Sequence, residues 1–482
     1  MAKFPYVQVS VGLLSLCLVG CGCNEGDGSD SSHNSQSLDK TALYSLGGSV
    51  SGLTNGKLLK LAANEETLSL NSNGKFNFLQ ALKAGSLYSI SIQELPENMK
   101  CVIAKPSGTA TANVSDISVS CYTPVPASGI SSDQCFEPVS KKLVSCSDTA
   151  VTTLNAEQDG ARSSINTMGF GALTQGTNTY SSSECVKDKL TGLLWEIKTA
   201  DSGLRDYQKT YTHFDSTTAA QKSDGSQAIQ AEIDAEDNAL TYVKEVNRLG
   251  LCGFTDWRLP TARELHSIVN YGLKDIAIDT TVFINPPGND DEYWTSSSYH
   301  DNPGTDQALY VNFYAGYIFS NYRDETLYVR LVRGSILSET NRYTVAGDEV
   351  TDIQTGLVWQ RCTYGQTWNG SSCSGAANKL TFAQALAKSA ELKAQGWRLP
   401  SIKELFSLVT YGPGNTQLDP LVFPQTFTGQ LDFYLSSTPS ISSAANAWGV
   451  NFGLLIASES KWSSSLYAVS YTHLTLPTIL RV

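Results

Sequence analysis

Two short stretches of the sequence carry an indole, a guanidinium and a carboxylate at matching spacings. In the first, Trp257 and Arg258 precede Glu264. The same residue types recur at Trp397, Arg398 and Glu404. An arginine can bind an anion through its planar fork, and a glutamate can transfer protons, so each set has the components of a catalytic or binding site.

A structural interpretation explains the same residues more simply. Thr261 lies three positions before Glu264, and Ser401 lies three positions before Glu404, which is the spacing of a helix-capping box. The tryptophans are typical core residues, and each arginine can hold backbone carbonyls or a carboxylate. We therefore predict structural roles for both sets.

Other enzyme chemistry has little support. The sequence contains neither a G-x-S-x-G elbow nor an H-E-x-x-H metal motif. His213 and His300 have no evident nucleophile partner, and His266 corresponds to Phe406 in the second stretch. We expect no enzymatic activity and no cofactor; an exported hydrolase is the least favoured alternative.

Two carboxylate clusters raise the question of calcium, which prefers several converging oxygen ligands. The clusters are Asp290 to Glu292 and Glu232 to Asp237. Neither fits an EF-hand loop, and the sequence has no Glu-Pro-Asn or Trp-Asn-Asp string. We predict solvated acidic surfaces and no metal site.

Aromatic side chains suggest a second kind of site, a platform for stacking on sugars. The candidates are Trp294, Tyr310, Tyr314, Tyr317, Tyr322, Trp448 and Trp462. At strand spacing, however, most aromatic residues are core or cross-strand partners. The sugar platform is therefore the minority interpretation.

An internal repeat organises these motifs. The string D-x-x-T-G-L-x-W runs from Asp188 to Trp195 and again from Asp352 to Trp359, and each copy is followed by W-R-L-P-[ST]-x-x-E-L. Each D-x-x-T-G string predicts a tight turn that leads into a buried strand. The first copy has an insertion between its two motifs.

The elements predicted around the motifs define the fold class. One helix is expected before each W-R-L-P string, over residues 238–249 and 381–394, and a second helix after each capping box. Gly272 and Gly412 are expected to end the second helices in a left-handed conformation. With strands and loops elsewhere, each copy is predicted to be an α+β domain.

Together the two motifs resemble the C-terminal domain of the collagen-like bacterial adhesin Lcl. The resemblance covers residues 150–335 (repeat 1) and 345–469 (repeat 2). It implies a C-type-lectin-like architecture, and adhesion or glycan binding as the function. A structural envelope protein without a small ligand is the alternative.

Residues 42–122 alternate short apolar runs with turn signals, which predicts an all-β sandwich. This segment is similar to the immunoglobulin-like modules of bacterial surface lipoproteins, and we expect it to be a spacer module. Residues 123–149 are predicted to form a linker with a short disulfide loop. The complete fold class is thus one β-sandwich followed by two α+β lectin-like domains.

The first residues predict export. Residues 1–20 have one early lysine and an apolar run that ends in Leu18-Val19-Gly20-Cys21, similar to a bacterial lipoprotein signal. The resemblance implies that Cys21 is the lipidated N-terminus, and Gly22 after it favours the outer membrane or cell surface of a Gram-negative-type bacterium. Residues 21–41 are rich in Ser, Asp and Gly and predict a flexible tether.

Cysteine usage agrees with an oxidising compartment. Eight cysteines fall into local pairs, although eight cysteines permit about 105 connectivities. The proposed pairs are Cys101 with Cys121, Cys135 with Cys146, Cys185 with Cys252, and Cys362 with Cys373. Cys17 lies in the signal, and Cys23 is left over in the tether.

The charge of the chain argues against nucleic acids and against polyanions as partners. The formal net charge of −12 argues against nucleic-acid binding. Residues 185–334 carry 14 basic and 22 acidic residues, so repeat 1 is unsuited to polyanions. We expect a membrane contact through the lipid, and a glycan or surface protein as ligand. Residues 470–482 depart from the repeat and are predicted to be foreign to the natural chain.

Overall fold

The computed structural model describes most of the chain after its first 40 residues. These are residues 41–474, except 176, 218, 285–291, 300–305, 335–340, 411–417, 427, 428, 430, 431, 443–445, 455, 462–465 and 469–471. Predictions that concern the signal, Cys21, the tether, Asp290, His300 and Gly412 therefore lie outside the described residues. Side chains after Ala457 are likewise outside them.

The first module is built entirely of strands. They are β1 (Leu43–Tyr44), β2 (Leu46–Ser51), β3 (Leu59–Ala63), β4 (Glu66–Leu70), β5 (Gly74–Asn77), β6 (Leu82–Lys83), β7 (Leu87–Glu94), β8 (Lys100–Ala104), β9 (Ser107–Thr109) and β10 (Val114–Tyr122). Two four-stranded sheets, β5-β2-β10-β8 and β4-β3-β7-β9, enclose one apolar core. Alternating burial along β3 and β7 gives each sheet a core face and a solvent face.

The segment after this module joins it to both repeats. It contains β11 (Cys135–Glu137), β12 (Lys142–Val144), α1 (Thr149–Asn155) and a 3-10 turn at Asp159–Arg162. Helix α1 packs on repeat 2, where Asn155 Nδ2 donates to Leu386 O at 2.9 Å. On the other side Gln134 Nε2 donates to Gly272 O of repeat 1 at 3.0 Å. The segment therefore fastens the two repeats to each other.

Repeat 1 begins with a hairpin sheet and continues through helices to a second sheet. Its strands are β13 (Phe170–Ala172), β14 (Thr174–Gln175), β15 (Asn178–Thr179), β16 (Cys185–Asp188), β17 (Leu194–Glu196), β18 (Thr210–Tyr211), β19 (Glu292–Tyr299), β20 (Gln307–Asn312), β21 (Tyr317–Asn321), β22 (Leu327–Tyr328) and β23 (Val332–Arg333). Its helices are α2 (Gln230–Ile233), α3 (Ala239–Leu249) and α4 (Ala262–Ser267).

Repeat 2 follows the same order. Its strands are β24 (Tyr343–Ala346), β25 (Glu349–Asp352), β26 (Leu357–Gln360), β27 (Thr367–Trp368), β28 (Cys373–Ser374), β29 (Lys379–Leu380), β30 (Tyr434–Pro439), β31 (Asn446–Asn451), β32 (Ile456–Lys461), β33 (Leu466–Ala468) and β34 (Thr472–Leu474). Its helices are α5 (Phe382–Leu392) and α6 (Ile402–Phe406). The backbone of β34 pairs with β26, as β23 pairs with β17 in repeat 1.

The two repeats share one sheet. Each repeat contributes five strands to it. From either edge to the centre, the strands of one repeat follow the same order as their equivalents in the other, which gives β18-β22-β19-β20-β21-β32-β31-β30-β33-β29. The halves join where Ile318 of β21 pairs antiparallel with Ala457 of β32. Repeat 1 and repeat 2 are thus related by an approximate two-fold axis through this junction.

The described chain is mostly β, with several sheets and short helices. The sequence predicts this combination of strands and helices in several domains. The prediction for Gly272 was wrong. Helix α4 ends at Ser267, and Gly272 does not have a positive φ. A Cβ on Gly272 would lie 2.1 Å from Gly129 O, so the position requires glycine because the linking segment packs against it.

Candidate functional site

Helices α4 and α6 begin with complete capping boxes. Thr261 Oγ1 accepts from Glu264 N at 3.2 Å, and Glu264 Oε2 accepts from Thr261 N at 2.8 Å. Ser401 and Glu404 form the same reciprocal pair at 3.3 and 2.9 Å. These bonds satisfy amides that a helix N-terminus leaves without intrahelical acceptors.

Each capping glutamate also receives a two-pronged hydrogen bond from the arginine of its own motif. Arg258 reaches Glu264 at 2.8 and 2.6 Å, and Arg398 reaches Glu404 at 2.7 and 2.6 Å. Burial alone would raise the pKa of Glu404, but the charge and hydrogen bonds of Arg398 outweigh it and lower the pKa to about 2. Both carboxylates are occupied in fixing the helix starts.

The remaining motif residues lie in the core or in turns. Trp195, Trp257 and Trp359 are at most 2 % exposed, and Trp397 is 8 % exposed. Asp188 accepts from Leu190 N at 2.8 Å and from Thr191 Oγ1 at 2.7 Å, which closes its turn. Asp352 makes the equivalent bond to Thr355 Oγ1 at 2.8 Å. The motif places these turns beside the buried indoles.

The motif helices bring the two repeats together. His266 of α4 packs edge-on against Phe406 of α6, with ring centroids 4.7 Å apart. Tyr271 packs against Trp448 of the other repeat at 4.6 Å. One apolar core runs continuously through both repeats at this interface. The motif of each copy therefore contributes side chains to a core that both repeats share.

Two basic residues at the same position of the motif cross this interface in opposite directions. Arg263 of α4 donates through Nη2 to Val409 O at 2.8 Å, and Lys403 of α6 donates through Nζ to Ser267 O at 2.8 Å. Each cation thus binds carbonyl groups near the C-terminal end of the opposite helix, where the helix dipole is negative. The reciprocal contacts link the two motif helices across the interface.

A cleft of about 240 Å³ opens beside these contacts, where the sandwich, the linking segment and both repeats meet. Its wall includes apolar residues of three units, Met99, Pro124, Val125, Pro126 and Leu193. Its charged lining residues are Lys57, Arg263, Lys403 and Glu264. This cleft is the candidate functional site, because it is concave, mostly apolar and carries a few converging polar groups.

Lys403 has a strongly lowered pKa in the cleft. Lys403 is only 3 % exposed, and its Nζ lies 2.8 Å from Ser267 O and 3.1 Å from Met168 Sδ, which are both neutral atoms. Burial lowers the pKa of Lys403 to about 7, against the opposing effect of the negative charges of Asp188 and Asp159. The amine therefore changes charge near neutral pH.

His266 also lines the cleft and is neutral. Burial lowers its pKa well below the usual value, and the charge of Lys403 lowers it further. Its Nε2 lies 2.6 Å from Tyr271 Oη, which donates to Gly316 O at 2.9 Å. His266 thus supplies a polar but uncharged edge to the site.

The other predicted sites can now be placed. The four proposed cysteine pairs are disulfides in the structure, with S–S distances between 1.99 and 2.10 Å. Over the described ranges there is no group of three or more His, Cys, Asp or Glu side chains arranged to hold a metal ion. Glu232 lies at the surface, where it forms an ion pair with Lys222.

Most of the aromatic side chains of the predicted sugar platform are buried in the core or packed against one another. Trp294 is fully buried, Trp448 is 2 % exposed, and Tyr317 packs against Trp448 at 5.1 Å. Tyr310 is partly buried and packs against Trp294. Of the described candidates, Tyr314 is the most exposed at 42 %.

Sequence reasoning missed the cleft and its lysine. The one available signal was the basic residue at the same motif position in both repeats, Arg263 and Lys403. Nothing in the local sequence indicates that Lys57 or the Pro124–Pro126 stretch lies beside them. In the part of the chain that the structure describes, no helix combines the length and apolar character needed to cross a membrane.

Comparison with known proteins identifies the repeats. No curated protein and no solved structure matches the chain. The Lcl C-terminal domain family matches residues 184–333 and 348–469, which together are more than half of the chain. Both matched regions contain the motifs and capping boxes described above, and such domains indicate a surface adhesin-like protein. The chain belongs to the Lcl C-terminal domain family, with two tandem copies of the domain.

Proposed function

We propose that this protein is a lipid-anchored surface lipoprotein of the bacterial outer membrane that binds an extracellular ligand as an adhesin. The observation that carries the proposal is the tandem pair of Lcl C-terminal domains, which share one sheet and one core. The four disulfides support an oxidising location outside the cytoplasm.

The anchor is proposed from the sequence alone. A lipid on Cys21 would hold the repeats at the membrane surface through the tether, with the sandwich as spacer. Replacement Cys21→Ser should move the full chain from the membrane fraction to the soluble fraction and abolish labelling by a fatty-acid analogue. Unchanged labelling of this variant would contradict the anchor.

A C-type-lectin-like architecture and a glycan ligand are the finer part of the proposal. The soluble Cys21→Ser chain should bind a defined glycan on an array, and we expect no dependence on calcium. Tyr314 is the exposed aromatic residue to test, so Tyr314→Ala should weaken binding if a sugar stacks there. Binding to no glycan would contradict the glycan ligand while leaving a protein ligand to be tested on host or bacterial surfaces.

The second candidate is a structural envelope protein without a small ligand. Burial of Trp294 and Trp448 favours it, because these side chains stabilise the core instead of presenting a stacking surface. Deletion of the gene should then weaken envelope integrity without changing cell attachment. We propose a non-enzymatic role in both cases, so purified chain should not hydrolyse ester, peptide or glycoside substrates.

A further inference from the structure

The two repeats differ at a position beside the aspartate of the D-x-x-T-G turn. In repeat 2, Arg342 Nη2 donates to Asp352 Oδ2 at 2.6 Å and also donates to Ser407 O. Strand pairing places Tyr343 opposite Asp352 and Phe170 opposite Asp188. The residue of repeat 1 that corresponds to Arg342 is therefore Gly169.

Lys403 takes over part of the missing arginine's role in repeat 1. Its ammonium binds Ser267 O, the counterpart of Ser407 O, and interacts electrostatically with Asp188, the counterpart of Asp352. A single amine makes fewer directed contacts than a guanidinium with its five N–H donors. At Gly169 a Cβ would approach only Lys189, at 3.9 Å, so little packs around this position.

The charges that line the cleft are unbalanced. Lys57, Arg263 and Lys403 are basic, and the one acidic lining residue, Glu264, is already held by Arg258 at 2.8 and 2.6 Å. Lys57 Nζ donates to a carbonyl, Glu97 O, at 2.8 Å. Asp188 and Asp159 act on Lys403 and Glu97 acts on Lys57, so carboxylates outside the lining partly offset these charges, although the lining itself has more basic than acidic residues.

One part of the wall is apolar and rigid, while hydroxyl and amide side chains such as Thr191 and Asn98 line the remainder. Pro124 and Pro126 are buried and hold the linking segment extended, and Leu193 and Met99 are under 9 % exposed. The volume of about 240 Å³ is below the range of about 300–1,000 Å³ that is usual for drug-sized ligands. A ligand that fits is small, with one charged end and an apolar body.

We propose that this cleft is a binding site for a small organic carboxylate, bound through the ammonium group of Lys403 with its apolar body against Pro124, Pro126 and Leu193. The proposal is independent of adhesion. The cleft lies between the sandwich and the repeats, whereas an adhesin would contact its ligand through an outer surface. A ligand bound here would stabilise the arrangement of the sandwich, the linking segment and the repeats, since all of them contribute to the wall.

Isothermal titration of the full Cys21→Ser chain with benzoate and hexanoate tests the proposal. Both should bind, and the uncharged analogues benzamide and hexanamide should bind at least about ten-fold more weakly. Inorganic sulfate, which has the charge but not the apolar body, should also bind more weakly than benzoate. Equal affinities of benzoate and benzamide would overturn the proposal.

Two measurements assign binding to Lys403. Lys403→Met should weaken benzoate binding at least about ten-fold, whereas Lys388→Met, a partly exposed lysine of α5 outside the cleft, should leave it unchanged. In the Cys21→Ser chain that retains Lys403, benzoate binding at pH 8 should be accompanied by uptake of a proton. This uptake is measured as a dependence of the binding heat on the ionisation enthalpy of the buffer. Binding without proton uptake would assign the anion to another group and refute the role of Lys403, even if the Met variant failed to fold.

Discussion

His266 and Phe406 occupy the same position in the two repeats and pack against each other, with ring centroids 4.7 Å apart. The contact lies close to the approximate two-fold axis, where each residue meets its own counterpart. An imidazole and a phenyl ring of similar size fit there because the imidazole is neutral and its Nε2 is satisfied by Tyr271 Oη at 2.6 Å.

Exchange of His266 for phenylalanine should be tolerated. Tyr271 Oη retains Gly316 O as an acceptor, so the variant His266→Phe should change the free energy of unfolding by less than about 1.5 kcal/mol. His266→Ala should cost about 2–4 kcal/mol because it leaves a cavity at the interface. Urea denaturation measures both; equal losses for the two variants would show that the hydrogen bond, and not the ring packing, matters.

The paired arginines should differ in importance because they differ in burial. Replacement Arg398→Met leaves the carboxylate of Glu404 buried without its partner and should cost about 3–5 kcal/mol. Replacement Arg258→Met should cost roughly half of that, since the side chain of Arg258 is 21 % exposed and solvent screens the pair. Thermal unfolding of the two variants side by side tests the order, and a larger loss for Arg258→Met would contradict it.

Acid should weaken the contribution of Glu404. Because its folded pKa of about 2 lies below the usual 4.5, the stabilisation is complete above pH 4.5 and is lost as pH falls toward 2. The difference in unfolding free energy between the native sequence and Glu404→Gln should therefore shrink by about 3 kcal/mol over this interval. Glu264→Gln is the matched control, and a difference that does not vary with pH would rule out this linkage.

Lys403 should also make stability rise with pH, but over a higher pH range than Glu404. Its folded pKa of about 7 is below the usual 10.5, so the unfolded chain binds more protons between these values and stability rises with pH across that range. Lys403→Met should be more stable than the native sequence at pH 7, by about 2–4 kcal/mol, and the gap should close toward pH 10. Denaturation experiments at several pH values measure this gap in unfolding free energy. A gap that stays constant from pH 7 to pH 10 would disprove a buried lysine that titrates in this range.

Much of each repeat could be predicted because its signals are local. The Thr261 and Ser401 capping boxes are fixed by residues three positions apart, and helix α3 ends at Leu249, as predicted. Long-range features escaped such reasoning. Gly272 is glycine because a distant segment packs on it, which no local pattern reveals.

The duplication, the capped helices and the buried indoles could be predicted from the sequence, since they depend on neighbours along the chain or on repetition, whereas the four cysteine pairs were one proposal among about 105 connectivities. How the two copies meet could be seen only in the folded chain, where they share one sheet. In the folded chain Lys403 is buried and lines the same cleft as Pro124, more than 200 positions away, and this burial lowers the pKa of the lysine. Desolvation depends on everything that surrounds a group in space, so the chemistry of that lysine follows from the assembled fold.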